Sequence, residues 1–164
     1  MSAVLVVGVA APAEANVRRF TDSHRDTAAG TDIWSVRVDN STADRQEVRI
    51  RIRQDNVRNG DALAVYLDTR PADPGPEFVM SGVVGSEYVL HRMEWWKEPR
   101  ALVPFKCGYS MKIKESTDRT RVVLPRQCIG TPSEIRVAVR ATRNKPAARD
   151  WAAGRRDWLG FVRR

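Results

Sequence analysis

Four groups of side chains in this sequence are of types that do chemistry. The first is acidic: Asp22, Asp26 and Asp32, with Asp68 at the end of an apolar run. Calcium takes several oxygen ligands at once, and carboxylates on loops beside a sheet edge supply them. The spacing is not that of an EF-hand loop, and Asp also forms turns by bonding its own backbone. The second group is aromatic: Trp34, Trp95, Trp96, Trp151 and Trp158. Exposed tryptophans stack on sugar rings. Neighbouring residues of a strand point to opposite faces, so at least one of Trp95 and Trp96 is expected at the surface. Large rings are otherwise core material, which is the expectation for Trp34, while Trp151 and Trp158 pin the tail to the body.

The third group is basic. Arg49, Arg51 and Arg53 alternate along one stretch, and Arg136 and Arg140 along another. Set side by side, the two stretches make a stripe that holds a polyanion: a cell-wall polymer, an acidic glycan or a nucleic acid. A solvated outer face is the alternative. No standard nucleic-acid-binding motif is present. The fourth group is Met80 and His91, which are axial haem ligands by type but lack an attachment motif. Catalytic motifs are missing: there is no nucleophile-elbow serine, no paired-histidine zinc motif and no phosphate loop. A pair of carboxylates acting on a glycoside is the hydrolytic reading that remains. No cofactor is called for, a structural calcium on the Asp cluster apart.

Short strands must position these groups. Residues 62–67 are apolar without a break, bounded by Asn59-Gly60 and by Pro71, Pro74 and Gly75. That is the pattern of a central strand buried on both faces. Period-two alternation marks Trp34, Val36 and Val38, then Val48, Ile50 and Ile52, and later Ile135, Val137 and Val139. Tyr109, Met111 and Ile113 alternate likewise, as do Thr120, Val122 and Leu124. A hairpin turning at residues 116–119 pairs Ile113 with Val122 and Met111 with Leu124, and brings Cys107 opposite Cys128. A disulfide between these two cysteines is therefore expected. About eight strands and no clear helix before the tail read as an all-β, antiparallel β-sandwich of jelly-roll-like form. It covers residues 32–141, after a polar lead-in at 16–31 and before a tryptophan-rich tail at 142–164 that packs on it.

The order of motifs resembles that of small secreted bacterial β-sandwich proteins. These are Asp-Ile-Trp-Ser-Val-Arg-Val at 32–38, the alternating strand at 47–53, Gly-Asp-Ala-Leu-Ala-Val-Tyr-Leu-Asp-Thr at 60–69 and Gly-Pro-Glu-Phe at 75–78. More distantly, residues 32–93 are similar to the DOMON and family 9 carbohydrate-binding-module architecture. The resemblance implies a sandwich of a kind that in some relatives binds sugars or haem.

Compartment and partners follow from the bulk properties. Residues 3–11 are apolar and Ala13-Glu14-Ala15 is a small-x-small cleavage site, so residues 1–15 read as a secretory signal peptide. Met1-Ser2 departs from the pattern by carrying no Lys or Arg. No apolar stretch approaches the ~20 residues of a membrane span. An even cysteine count agrees with export. Hydrophobic residues make up 42% and charged residues 29%, the balance of a globular chain. The formal net charge is +8, carried by 23 Arg and 5 Lys among the basic residues. Arginine pairs bidentately with carboxylate and phosphate. The expectation is a secreted, non-enzymatic module for an extracellular glycan or anionic surface polymer. The alternatives are a carboxylate-dependent hydrolase and a protein-interaction module.

Overall fold

The alternating segments close into two antiparallel sheets packed face to face. The structure, a computed structural model, describes residues 16–23, 26–27, 32–41, 46–96, 99–143 and 149–164. The signal peptide expected at 1–15 and parts of the lead-in expected at 16–31 and of the tail expected at 142–164 lie outside the described residues.

The first sheet runs in the order β1 (Val17–Thr21), β2 (Ile33–Asp39), β3 (Glu47–Gln54), β9 (Arg119–Pro125) and β8 (Ser110–Lys114). The second runs β11 (Arg149–Ala152), β10 (Glu134–Thr142), β4 (Ala62–Asp68), β5 (Phe78–Val83), β6 (Tyr88–Arg92) and β7 (Ala101–Leu102). A short β12 (Val162–Arg163) pairs with the start of β10. The chain lays down β1 to β3 in one sheet, β4 to β7 in the other, returns for β8 and β9, and finishes in the second. Because β3 lies beside β9 and β4 beside β10, both sheets are sewn together by non-consecutive strands, as in Greek-key sandwiches. The twelve strands among the described residues exceed the expected eight mainly because the lead-in supplies β1 and the tail supplies β11 and β12.

The core is the sum of the inward alternations. Val36, Val38, Val48, Ile50, Ile52, Val122 and Leu124 come from the first sheet. They meet Leu63, Val65, Leu67, Met80, Leu90, Ile135, Val137 and Val139 from the second, all at most 2% exposed. The unbroken apolar run of β4 has a physical cause. Leu63, Val65 and Leu67 face this core, while Ala64 and Tyr66 face outward beneath a second apolar cluster. Val79 and Ala138 complete the floor of that cluster, and Trp96, Trp151 and Trp158 cover it.

Two expectations are corrected. The β8–β9 hairpin pairs Met111 with Val122 and Ile113 with Thr120, two residues away from the expected register. The turn centre lies earlier, because Glu115–Thr117 forms a 3-10 turn closed by Asp118 at φ +50°. A shift of two residues keeps every side chain on its own face, so the apolar pattern could not reveal it. Cys107 and Cys128 still join, with Cα atoms 5.7 Å apart, because both sit beyond the paired strands in 3-10 turns. In β2, a bulge between Ile33 and Ser35 interrupts the alternation. Ile33 therefore takes the core position, and Trp34 is only half-buried.

Candidate polyanion-binding face

The outward positions of the first sheet carry positive charge in register. Arg19 lies opposite Arg37, Arg37 opposite Arg51, Arg51 opposite Arg121, and Arg121 opposite Lys112. One cross-strand rung thus holds a cation on each of the five strands, and all five are exposed. The next rung aligns Thr21, Ser35, Arg53, Arg119 and Lys114. Neither rung contains an acidic residue, and none of their eight cations makes an ion pair among the described residues. The chain has 28 Lys and Arg against 20 Asp and Glu, so the rest of it is formally neutral. An open hollow of about 480 Å³ lies over these two rungs.

The rung on the other side is different. There Asp39 faces Arg49, and Arg49 pairs with Glu47 at 3.1 Å. Positive charge is thus neutralised at one end of the face and bare at the other. Of the basic residues singled out in the sequence, Arg51 and Arg53 belong to the bare region and Arg49 borders it. Arg136 and Arg140 do not join them, because β10 lies in the other sheet, between β4 and β11. Arg19, Arg37, Lys112, Lys114, Arg119 and Arg121 were missed. Alternation placed most of them outward, but only the strand neighbours put them in line.

Trp96, Trp151 and Trp158 are on the opposite side of the molecule, on the outer face of the second sheet. Trp96 stacks at a tilt 4.8 Å from Trp158 and lies 5.1 Å from Tyr66, which in turn stacks on Trp151. Arg136 sits over Trp158 and Phe161, and Arg140 over Tyr66 and Trp151. The rings thus fill one another's faces and secure the last strands to the sheet. Trp95 turns the other way at φ +61° and is 45% exposed. It packs on Gly75, where a Cβ would come within 2.7 Å of its ring.

The structure brings some of the acidic residues together and separates one of them. Carboxylate oxygens of Asp26, Asp32 and Asp150 lie within 4.8 Å of one another, and Asp22 is close enough to influence them electrostatically. Asp68 is elsewhere: it is buried at the far end of β4 and pairs with Arg136. Five residues of strand from Leu63, the rung nearest Asp150, carry it roughly 17 Å away. Asp150 was missed because it is contributed by β11, whose edge position brings it against β2, where it accepts the Ile33 N–H at 2.6 Å. Burial pushes the Asp150 carboxyl up to about 6, and the charges of Asp26 and Asp22 add to the effect. Burial raises Asp22 as well. Such an oxygen set suits either shared protons or a hard cation such as calcium.

Other candidate chemistry comes apart on the fold. Met80 is buried in the core, whereas His91 pairs with Val79 and faces the opposite side of the sheet, so the two cannot hold one haem. Glu77 and Glu94 line a cleft of about 580 Å³. Glu77 accepts the N–H groups of Thr69 and Arg70 at 2.7 and 3.1 Å, and Glu94 pairs with Arg100. Both carboxylates are therefore occupied in holding turns. Compared with protein-family models, curated proteins and solved structures, the chain matches none.

Proposed function

We propose that this chain is an exported, non-enzymatic β-sandwich that binds an anionic polymer of the cell surroundings through the outer face of its first sheet. The observation that carries this reading is the five-cation rung and its three-cation neighbour. Like charges directly opposite one another in a sheet are destabilising. Neighbouring strands are about 4.8 Å apart, well inside a screening length of about 8 Å at physiological salt. A polyanion laid on the face turns that repulsion into attraction, and arginine supplies paired donors to each anionic group. The two rungs hold only Arg, Lys, Ser and Thr, with no histidine, carboxylate or thiol to act on a bond. Export is supported by the apolar leader pattern at 3–15 and by the Cys107–Cys128 disulfide, a bond that persists in oxidising compartments.

The test compares two triple variants of equal net charge. Arg37→Gln, Arg51→Gln and Arg121→Gln together remove the centre of the face. Arg70→Gln, Arg100→Gln and Arg163→Gln remove three arginines elsewhere. On an immobilised polyanion, such as heparin resin at low salt, the first triple is expected to elute with at least tenfold weaker retention and the second to behave as the parent. Equal losses in both, or no retention of the parent, overturn the proposal.

A further inference from the structure

Resting on that reading, the geometry points to a ligand class and a direction. We infer that the ligand is a linear polymer of closely spaced phosphates, lying across the five strands and recognised through its phosphates alone.

Direction follows from counting cations along each path. Along β2, Arg37 stands between Ser35 and Asp39. Along β3, Arg51 and Arg53 follow an arginine already paired with Glu47. Along β9, Arg119 and Arg121 are followed by Val123. A thread laid along any one strand therefore meets no more than two unpaired cations. A thread laid across the strands meets five, over a span of roughly 19 Å. Among the described residues, both ends of the rung lie on the outermost strands of the sheet, Arg19 on β1 and Lys112 on β8. The thread can leave the protein on both sides, so an internal segment is bound rather than a chain end.

Chemical class follows from what the rung has and what it lacks. Cations one strand apart are matched only by a polymer with a charge at every repeat of its own backbone. A glycan that alternates uronates with neutral sugars, such as hyaluronate, spaces its carboxylates more widely, and a homopolymer of uronates, like a sulfated glycan, hangs its charges on bulky rings. The rungs offer sugar rings and bases no aromatic surface, and base-stacking binders depend on such surfaces. Trp96, Trp151 and Trp158 lie on the other sheet, and Trp34, on β2, is not among the residues that line the hollow over the rungs. A phosphate thread needs neither, and four of the five rung cations are the guanidinium groups that suit phosphate best.

The experiment measures binding of the full chain to long-chain inorganic polyphosphate, poly(dT), dextran sulfate and hyaluronate over a salt series. Polyphosphate and poly(dT) are the two sources of the same chemistry, and both are expected to bind at least tenfold more tightly than hyaluronate and dextran sulfate. The log–log salt slope for poly(dT) is expected near −3.5, about −0.7 for each of five contacts. Arg19→Gln and Lys112→Gln, at opposite edges, are each expected to reduce the slope by about 0.7, and Arg49→Gln to leave it unchanged. If the edge variants leave the slope intact, the crosswise path is wrong. If dextran sulfate or hyaluronate binds as well as polyphosphate, the phosphate class is wrong. If poly(dT) far exceeds polyphosphate, recognition by phosphate alone is wrong. In those three cases general polyanion binding still stands, whereas failure of all four polymers to bind at low salt removes the reading beneath it.

Discussion

Asp150 shows how much one residue's behaviour depends on distant chain. Its carboxyl is 4% exposed and holds the Ile33 N–H, 117 residues away in sequence, across the open edge between the two sheets. Burial, with the charges of Asp26 and Asp22 adding to it, raises its pKa to about 6 from an ordinary value of 3.8. A carboxyl raised on folding binds its proton more tightly in the folded state. Its contribution to stability is therefore present below the ordinary value and is lost as pH rises through about 6. The melting temperature should rise as pH falls from 7.5 to 5. Asp150→Asn should flatten that rise and be no less stable at pH 7.5, since the amide oxygen still accepts from Ile33 while the charge is gone. Thermal melts of both proteins at the two pH values check this; an Asn variant that keeps the full pH dependence contradicts it. The convergence of Asp22, Asp26 and Asp32 was legible because they are close in sequence. Asp150 carried no such signal, and Asp68 carried a misleading one.

At the scale of the element, the β8–β9 hairpin separates what alternation can and cannot tell. Which side chains face inward is set by the period of two, and Met111, Val122 and Leu124 are buried as read. Register is set by the turn, where a 3-10 segment and a left-handed Asp118 move the centre. The disulfide is reached through two further 3-10 turns rather than by direct opposition. It closes a loop with a sequence separation of 21, which limits the freedom of the unfolded chain. The double variant Cys107→Ser, Cys128→Ser should lose about 3 kcal/mol in urea unfolding, with the hairpin register retained. A midpoint equal to the parent's would show that the bond does nothing for the folded state. The bulge in β2 teaches the same lesson: one extra residue moved Ile33 into the core in place of Trp34.

The whole molecule is polarised. The first sheet carries the bare cations outward, and the second carries an aromatic layer clamped by Arg136 and Arg140. Such a layout predicts that salt stabilises the protein in the absence of ligand. Raising salt from 20 to 500 mM, a range over which the screening length falls from above 10 Å to below it, should raise the melting temperature. Arg51→Gln with Arg121→Gln should be more stable than the parent at low salt by a fraction of a kcal/mol and should lose most of the salt dependence. A parent that melts at the same temperature throughout would mean the rung cations do not feel one another.

The linear order of residues was enough to establish the strands between residues 32 and 141, their inward faces apart from the bulged start of β2, the doubly buried β4 and the partnership of the two cysteines. All of these are local or nearly so, because a pleated strand alternates its side chains whatever lies beside it. The neighbours of each strand are not local. That β3 lies between β2 and β9 rather than beside β10, and that β11 reaches β2, results from how two sheets share one core. Those adjacencies assembled the cation rung from five separated segments and completed the aspartate cluster from the tail. Rungs run perpendicular to the chain, so their composition emerges only once the strands have chosen their neighbours.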